Sequence, residues 1–280
     1  MNGLVSLTFD DALEQHLDVA IPVLNEAKLV GTFYAHLTAP ALSRRCAEWR
    51  AAALAGHELG NHTVFHPATA QKSWVQDGNA IEGYSLDRMR QELLVANQWL
   101  AALDDQDFRT FAYPCSNRML GRSGWPCQLL RRIGLRQTRW PGLLERMGCD
   151  WGSTRVDYKP VVAELFPAAR GGGLTLSGNV PAIESMDRWC LPSAAVESHS
   201  FADMSGFIKR AMADKTWAIL QFHGVGGGHG MNCDASTFRD LVRWLEEHYA
   251  DCVVSARDGA DHIWGRTSAK RQSAAGSSNG

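Results

Sequence analysis

The sequence predicts a parallel α/β fold, and three observations carry that expectation. Strand-like and helix-like runs alternate at least five times. Each polar cluster able to do chemistry stands just after a strand-like run: Asp10-Asp11, His62 to His66, Tyr113 to Ser116, and His223. The length of 280 residues suits one α/β barrel as readily as two smaller domains. A parallel barrel brings such strand ends to one rim, and an open doubly wound sheet brings them to one edge, so both architectures fit the pattern.

The elements follow in order. Leu4 to Phe9 (LVSLTF) is an apolar run of strand formers. Leu13, Leu17, Ile21 and Leu24 recur at helical spacing, and Gly31 closes that helix. Thr32 to Ala35 reads as the second strand, Cys46 to Ala55 as a helix stopped by Gly56, and Glu58 to Asn61 as a short third strand. Residues 67 to 84 are polar and irregular, a surface excursion. Ser85 caps a helix whose apolar stripe includes Leu86, Met89, Leu93, Leu94 and Leu100. Phe108 to Ala112 is a strand ended by Pro114, and Trp125 to Ile133 is helical. Periodicity fails between about Trp140 and Ser200, where Gly171-Gly172-Gly173 reads as a flexible loop. Phe207 to Asp214 and Phe238 to His248 are helices, Trp217 to Phe222 (WAILQF) is a strand, and Cys252 to Ser255 is a last short one. The polar, Ser/Gly-rich stretch 267–280 reads as a disordered tail behind a single unit of residues 1–266.

Composition narrows the function. Lys plus Arg is 28 and Asp plus Glu is 30, so the chain as a whole has no electrostatic drive towards nucleic acid or an anionic membrane, and neither is expected as a partner. No run approaches the roughly 18 apolar residues of a membrane span. Met1-Asn2-Gly3 opens no signal peptide, which points to the cytoplasm for this chain, or to secretion if a leader was removed. Seven cysteines without a C-x-x-C pair read as buried thiols rather than a disulfide framework. Most of the ten tryptophans are expected in the core, with some lining a sugar groove. Nothing here sets an oligomeric state.

Two carboxylates leaving an apolar strand, Asp10 and Asp11, need a cation or hydrogen bonds, and a helix N-cap would also satisfy one of them. His62 and His66 are the only histidines four apart among ten, and two imidazoles on one helical turn can grip a cation. One carboxylate and two imidazoles leave a coordination position open, the ligand count of a hydrolytic site. Such a set suits zinc first, with manganese, cobalt or nickel as alternatives. Tyr113-Pro114-Cys115 reads either as an ordinary strand end with Tyr113 packing or as a tight turn that aims backbone N–H groups outward, where they can stabilise an oxyanion. His223 closes an apolar strand at the same rim and can act as an acid. The glycines around His229 read as a mobile rim loop.

Taken together, T-F-D-D, H-x-x-x-H-P, F-A-Y-P-C-S and L-x-x-H, in this order on successive strand ends, resemble the polysaccharide deacetylases, carbohydrate esterase family four. Gly31-Thr32-Phe33-Tyr34 and Gly56-His57-Glu58-Leu59-Gly60 match as well, and the resemblance covers about residues 4 to 265. It implies a distorted (β/α) barrel of about seven parallel strands and metal-dependent removal of acetyl groups from a carbohydrate, of the N-acetylglucosamine or acetyl-xylan type. By position it implies Asp10 as the base that takes a proton from the attacking water, and Asp11, His62 and His66 as metal ligands. It further implies the Cys115 N–H as oxyanion donor within Tyr113-Pro114-Cys115, Leu220 as the border of the acetyl pocket, and His223 as the acid. A metal-dependent hydrolase of a non-sugar amide or cyclic ureide, or a carbohydrate-binding barrel without catalysis, are the alternatives. Ala112 stands where the family often has the arginine that orients the base, and no Asp-x-x-Asp-Trp is recognisable, Asp150-Trp151 being the nearest fragment. Arg109 shares the face of Phe111 rather than that of Ala112, so a donor to Asp10 is expected from elsewhere, with residues 140–200 as its source.

Overall fold

Strand β1 (Leu4–Asp10) is buried at every position. Parallel strands are covered on both faces, so although Ser6 and Thr8 alternate with Val5, Leu7 and Phe9 the polar positions are buried as well. Its two hydroxyls are each given a carbonyl: Ser6 Oγ donates to Val254 O and Thr8 Oγ1 to Leu220 O, both at 2.8 Å. The computed structural model describes residues 3–265 apart from 77, 136 and 137, so the tail expected at 267–280 lies outside the described residues.

Around β1 lie β2 (Thr32–Ala35), β3 (Glu58–Asn61), β4 (Phe111–Ala112), β5 (Ala169–Arg170), β6 (Ala194–Ala195) and β7 (Trp217–Phe222). Their order in the sheet is β5-β4-β3-β2-β1-β7-β6, and every pairing is parallel. The sheet curls into a half-barrel, and the chain between its edges laces them together. Leu191 N–H donates to Ala169 O, Gly171 N–H to Leu191 O, and Leu174 N–H to Ser193 O. The seven-stranded α/β barrel expected from sequence is therefore what the chain forms. Because all seven strands run the same way, Asp10, Asn61, Ala112, Arg170 and Phe222 end on one rim.

Helices pack outside: α1 (Ile21–Glu26), α2 (Pro40–Arg44), α3 (Cys46–Leu54), α4 (Leu86–Asp104), α5 (Trp125–Arg132), α6 (Trp140–Arg146), α7 (Lys159–Leu165), α8 (Phe201–Ala213), α9 (Ala235–Tyr249) and α10 (Ala256–Trp264). Ser85 Oγ accepts from Arg88 N–H as the cap of α4. A capping box between Ser200 and Asp203 starts α8 six residues before the apolar periodicity becomes visible. The helix read from Leu13 to Leu24 opens instead as a π-turn over His16–Ala20. Cys252 to Ser255 is not a strand; only Val253 makes a bridge, to Val5, and Ser255 caps α10. Below the strands the Glu58 carboxylate is fully buried and accepts from Thr32 Oγ1, Thr110 N–H, Thr110 Oγ1 and Arg257 N–H, tying four segments together. No helix among the described residues is long and apolar enough to cross a membrane.

Candidate active site

Asp11 follows the end of β1, and His62 and His66 follow β3. Their side chains meet. His66 Nε2 lies 3.4 Å and His62 Nε2 3.7 Å from Asp11 Oδ1, and the two rings are 4.9 Å apart. Residues 62–66 do not form a helical turn; Thr63 (φ 72°) and His66 (φ 49°) are left-handed, and that bend turns both rings to the same point. Asp11 Oδ1 is buried with no hydrogen-bond partner among the described residues, a costly state for a carboxylate oxygen unless a cation sits there. His62 is set up as a ligand by its far nitrogen: Nδ1 donates to Ala112 O at 2.8 Å, which leaves the lone pair on Nε2. Burial, outweighing the nearby carboxylates, holds its pKa down to about 3, so the ring is neutral. Tetrahedral ligand bonds of roughly 2.0–2.2 Å separate donor atoms by about 3.4 Å. The three residues fit a divalent metal.

Asp10, one residue earlier, points to different company. One guanidinium nitrogen of Arg170 reaches Oδ1 at 2.5 Å and Oδ2 at 2.6 Å, and Gln221 Nε2 donates to Oδ2 at 2.9 Å. Arg170 also lies over the ring of Tyr34, 5.1 Å from its centroid. Burial raises the Asp10 pKa most strongly, but Arg170, His62 and His223 together hold it well below the usual carboxylate range. The donor expected from the irregular region is thus Arg170, the last residue of β5. Arg109 is turned away, buried against Asp104 and Leu59 O.

His223 Nε2 is 3.7 Å from Asp10 Oδ2. His229 stacks on it with centroids 4.7 Å apart and planes at 17°, and His16 Nε2–H bonds its carbonyl at 2.7 Å. The loop carrying His229 is pinned by Gly224 N–H on Met231 O and Gly227 N–H on Asn232 Oδ1. Burial lowers the pKa of His223 more than the neighbouring carboxylates raise it. Its Nδ1 is buried without a partner among the described residues. Asp150 does not serve it: that carboxylate accepts from Gly124 and Cys127 N–H and caps α5.

Asp10, Asp11, His62, His66, Gln221 and His223 line one cavity of about 1080 Å³. Cys115 and Ser116 form part of its wall, both left-handed (φ 50° and 54°). Tyr113 and Pro114 do not reach it; they are buried behind the turn, where Tyr113 Oη donates to Trp189 O at 2.8 Å. Leu220 is also absent from the wall. It faces the core, and its neighbour Gln221 takes the rim position, as strand alternation requires. Asp11, Ala12, Thr63, His66, Cys115 and Ser116 are all left-handed, so the backbone under the rim is bent away from ordinary L-residue geometry at each.

Sequence reasoning missed Arg170, Gln221 and His36. His36 follows β2 directly, and a histidine just after an apolar strand was signal enough; its ring lies 5.4 Å from that of His66. Gly171 to Gly173 is no free loop: Gly171 is bonded to Leu191, and a Cβ on Gly172 would meet Ser116 Oγ at 2.5 Å. None of the seven cysteines forms a disulfide, but only Cys127 and Cys233 are buried, and Cys115 is exposed. Of the tryptophans only Trp49 and Trp217 are buried in the core, and Trp74 lines the cavity.

Fold and site together define a parallel half-barrel with an Asp/His/His cluster and a separately held carboxylate on its rim. Residues 2–137, just under half of the chain, match the family model described as polysaccharide deacetylase. Among solved structures, the Xyl-CE4 domain of a multidomain xylanase from the hindgut metagenome of Trinervitermes trinervoides is similar at 14% identity and TM-score 0.51, covering 95% of this chain and 93% of that one. A peptidoglycan N-acetylglucosamine deacetylase (Bc1960) is similar at 14% identity and TM-score 0.50, covering 91% and 86%. The catalytic domain of a peptidoglycan N-acetylglucosamine deacetylase from Eubacterium rectale is 15% identical with TM-score 0.48, covering 91% and 88%. No curated protein matches the chain.

Proposed function

We propose that the protein is a metal-dependent hydrolase that removes acetyl groups from a carbohydrate, its catalytic unit being residues 1–266. The observation that carries this reading is the division of labour between adjacent carboxylates: Asp11 faces two neutral-capable imidazoles, while Asp10 is held by Arg170 and Gln221. Asp11, His62 and His66 would hold the metal, zinc in the first instance, and it would supply Lewis-acid polarisation of the acetyl carbonyl and an acidified water. Asp10, kept ionised by Arg170, takes a proton from the attacking water. The Cys115 N–H, on its left-handed turn at the cavity wall, donates to the developing oxyanion. His223 delivers a proton to the departing sugar nitrogen or oxygen. Burial lowers its pKa, and Asp10 Oδ2, 3.7 Å from its Nε2, favours the protonated ring that this step requires.

The test is acetate release from N-acetylglucosamine oligomers and acetyl-xylan, beside small cyclic amides, with metal content measured on the same preparation. Acetate from a sugar substrate, lost on chelation and restored by zinc, supports the reading. Turnover of the cyclic amides alone would replace it with the non-sugar amidase, and metal binding with no turnover of any substrate would leave a carbohydrate-binding barrel.

A further inference from the structure

The chain leaves the rim after Ser116 and forms an outlying helical pair, α5 and α6, before rejoining the barrel at α7. The helices open alike, Trp125-Pro126 and Trp140-Pro141, and pack through buried Cys127 and Pro141, whose Sγ and carbonyl meet at 3.3 Å. Both helices also carry exposed apolar side chains. Trp125, Leu129 and Ile133 form one stripe at i, i+4, i+8, and Trp140, Leu143 and Met147 a second at i, i+3, i+7. With Trp151, whose ring is 6.1 Å from that of Trp125, each is 44–65% exposed. Exposed large apolar side chains gathered on one helical pair mark a docking site.

Charge identifies the occupant. Residues 121–155 hold seven arginines against Glu145 and Asp150, a net charge of +5 in a chain of net −2. Asp150 is consumed by backbone N–H groups and Glu145 pairs with Arg155, while Arg122, Arg132, Arg139 and Arg146 are exposed. Two copies face to face would oppose arginine with arginine. Nucleic acid would use the charge but not Leu129, Ile133, Leu143 and Met147, which have no π-face to stack on bases. Exposed tryptophan and aliphatic side chains carried on the same segment as exposed arginines are the chemistry of an interfacial helix on anionic lipid. We propose that the α5–α6 pair seats the protein on the surface of an anionic phospholipid bilayer. The charge balance of the whole chain, which argued against a membrane, averages this patch away.

The experiment is co-sedimentation of the full chain with vesicles of phosphatidylcholine alone and of phosphatidylcholine with about one third phosphatidylglycerol, an anionic content sufficient for such a patch. Binding to the anionic vesicles only, with blue-shifted tryptophan emission, is expected. Raising the salt weakens it, and Arg139→Gln and Arg146→Gln each lower the partition coefficient about fivefold. Trp125→Ser with Trp140→Ser abolishes binding while thermal unfolding is unchanged. Should that pair disturb folding, Leu129→Ser with Met147→Ser makes the same test. Equal binding to both vesicle types, binding indifferent to these substitutions, or a concentration-dependent dimer that they dissolve would each overturn the proposal.

Discussion

Removing the Arg170 guanidinium should damage the protein twice, and the two injuries are separable. Arg170→Met strips Asp10 of its cation and leaves Gln221 as its remaining side-chain donor among the described residues. Arg170 and Asp10 are 1% and 3% exposed, so the carboxylate cannot turn to water instead. Breaking a buried pair on one side costs about 3–5 kcal/mol. At about 2–4 °C per kcal/mol for a chain of this size, the melting temperature should fall by roughly 6–20 °C. The carboxylate also loses the clamp that sets its direction, and a misplacement of about 1 Å costs on the order of 10²-fold in turnover. Asp10→Asn combined with Arg170→Met removes the charge together with its partner. That double variant should recover most of the stability and none of the turnover. The assays are differential scanning calorimetry and acetate release on the two singles and the double. An Arg170→Met variant that melts and turns over like the parent would refute the idea that Arg170 replaces the arginine missing at Ala112. A double variant no more stable than the single would show that packing, not charge, carries the effect.

Other outcomes follow from the same geometry. His223→Ala should keep the metal and lose about 10²–10⁴-fold in turnover, whereas His62→Ala should lose the metal itself; metal analysis beside acetate release distinguishes them. His57, buried with Nδ1 accepting from Gly31 N–H and Nε2 donating to Asn25, has its pKa lowered by burial from 6.5 to about 4. The native state therefore disfavours its proton, and the stability present above pH 6.5 drains as pH falls towards 4. By urea unfolding, His57→Gln, which keeps both bonds without titrating, should remove about 2–3 kcal/mol of the loss between neutral pH and the lowered value. Glu58→Leu orphans donors from Thr32, Thr110 and Arg257 at once, and a loss of about 3 kcal/mol or more is expected by the same method. Gly60→Ala drives a Cβ to 2.4 Å from the Tyr34 ring on which Arg170 rests, so acetate release should fall although residue 60 touches no proposed catalytic group.

What was legible in the sequence follows strand length. β1, β2, β3 and β7 are four to seven residues long and wholly buried, long enough for apolar runs to stand out, and Asp10, Asp11, His62, His66 and His223 could be placed on the rim because they end or closely follow three of these. β5 and β6 are two residues each, a single strand period, too short for a pattern to repeat. Arg170 was therefore invisible as a rim residue, although the need for a cation at that place was not. Leu220 and Gln221 show the complementary error: the motif located the strand, and the alternation of side chains then assigned the rim to the other residue. The tryptophans failed as a class because exposure depends on what packs over an element, and Trp125, Trp140 and Trp151, on or beside α5 and α6, are 59–64% exposed.

The left-handed backbone beneath the rim bears on how this protein would respond to selection for robustness. Each of the six L-residues there forgoes about 1–2 kcal/mol relative to relaxed geometry, together roughly the whole net stability of an ordinary domain. A library screened only for survival on heating would find easy gains at Ala12, Thr63, Cys115 and Ser116, where glycine accepts the same bend without protest. Those winners would accumulate around the one place where freedom is harmful, loosening the turns that aim Asp11, His66 and the Cys115 N–H. Heat tolerance and acetate release should therefore diverge first along this rim, and libraries meant to harden the protein do best confined to the outer helices.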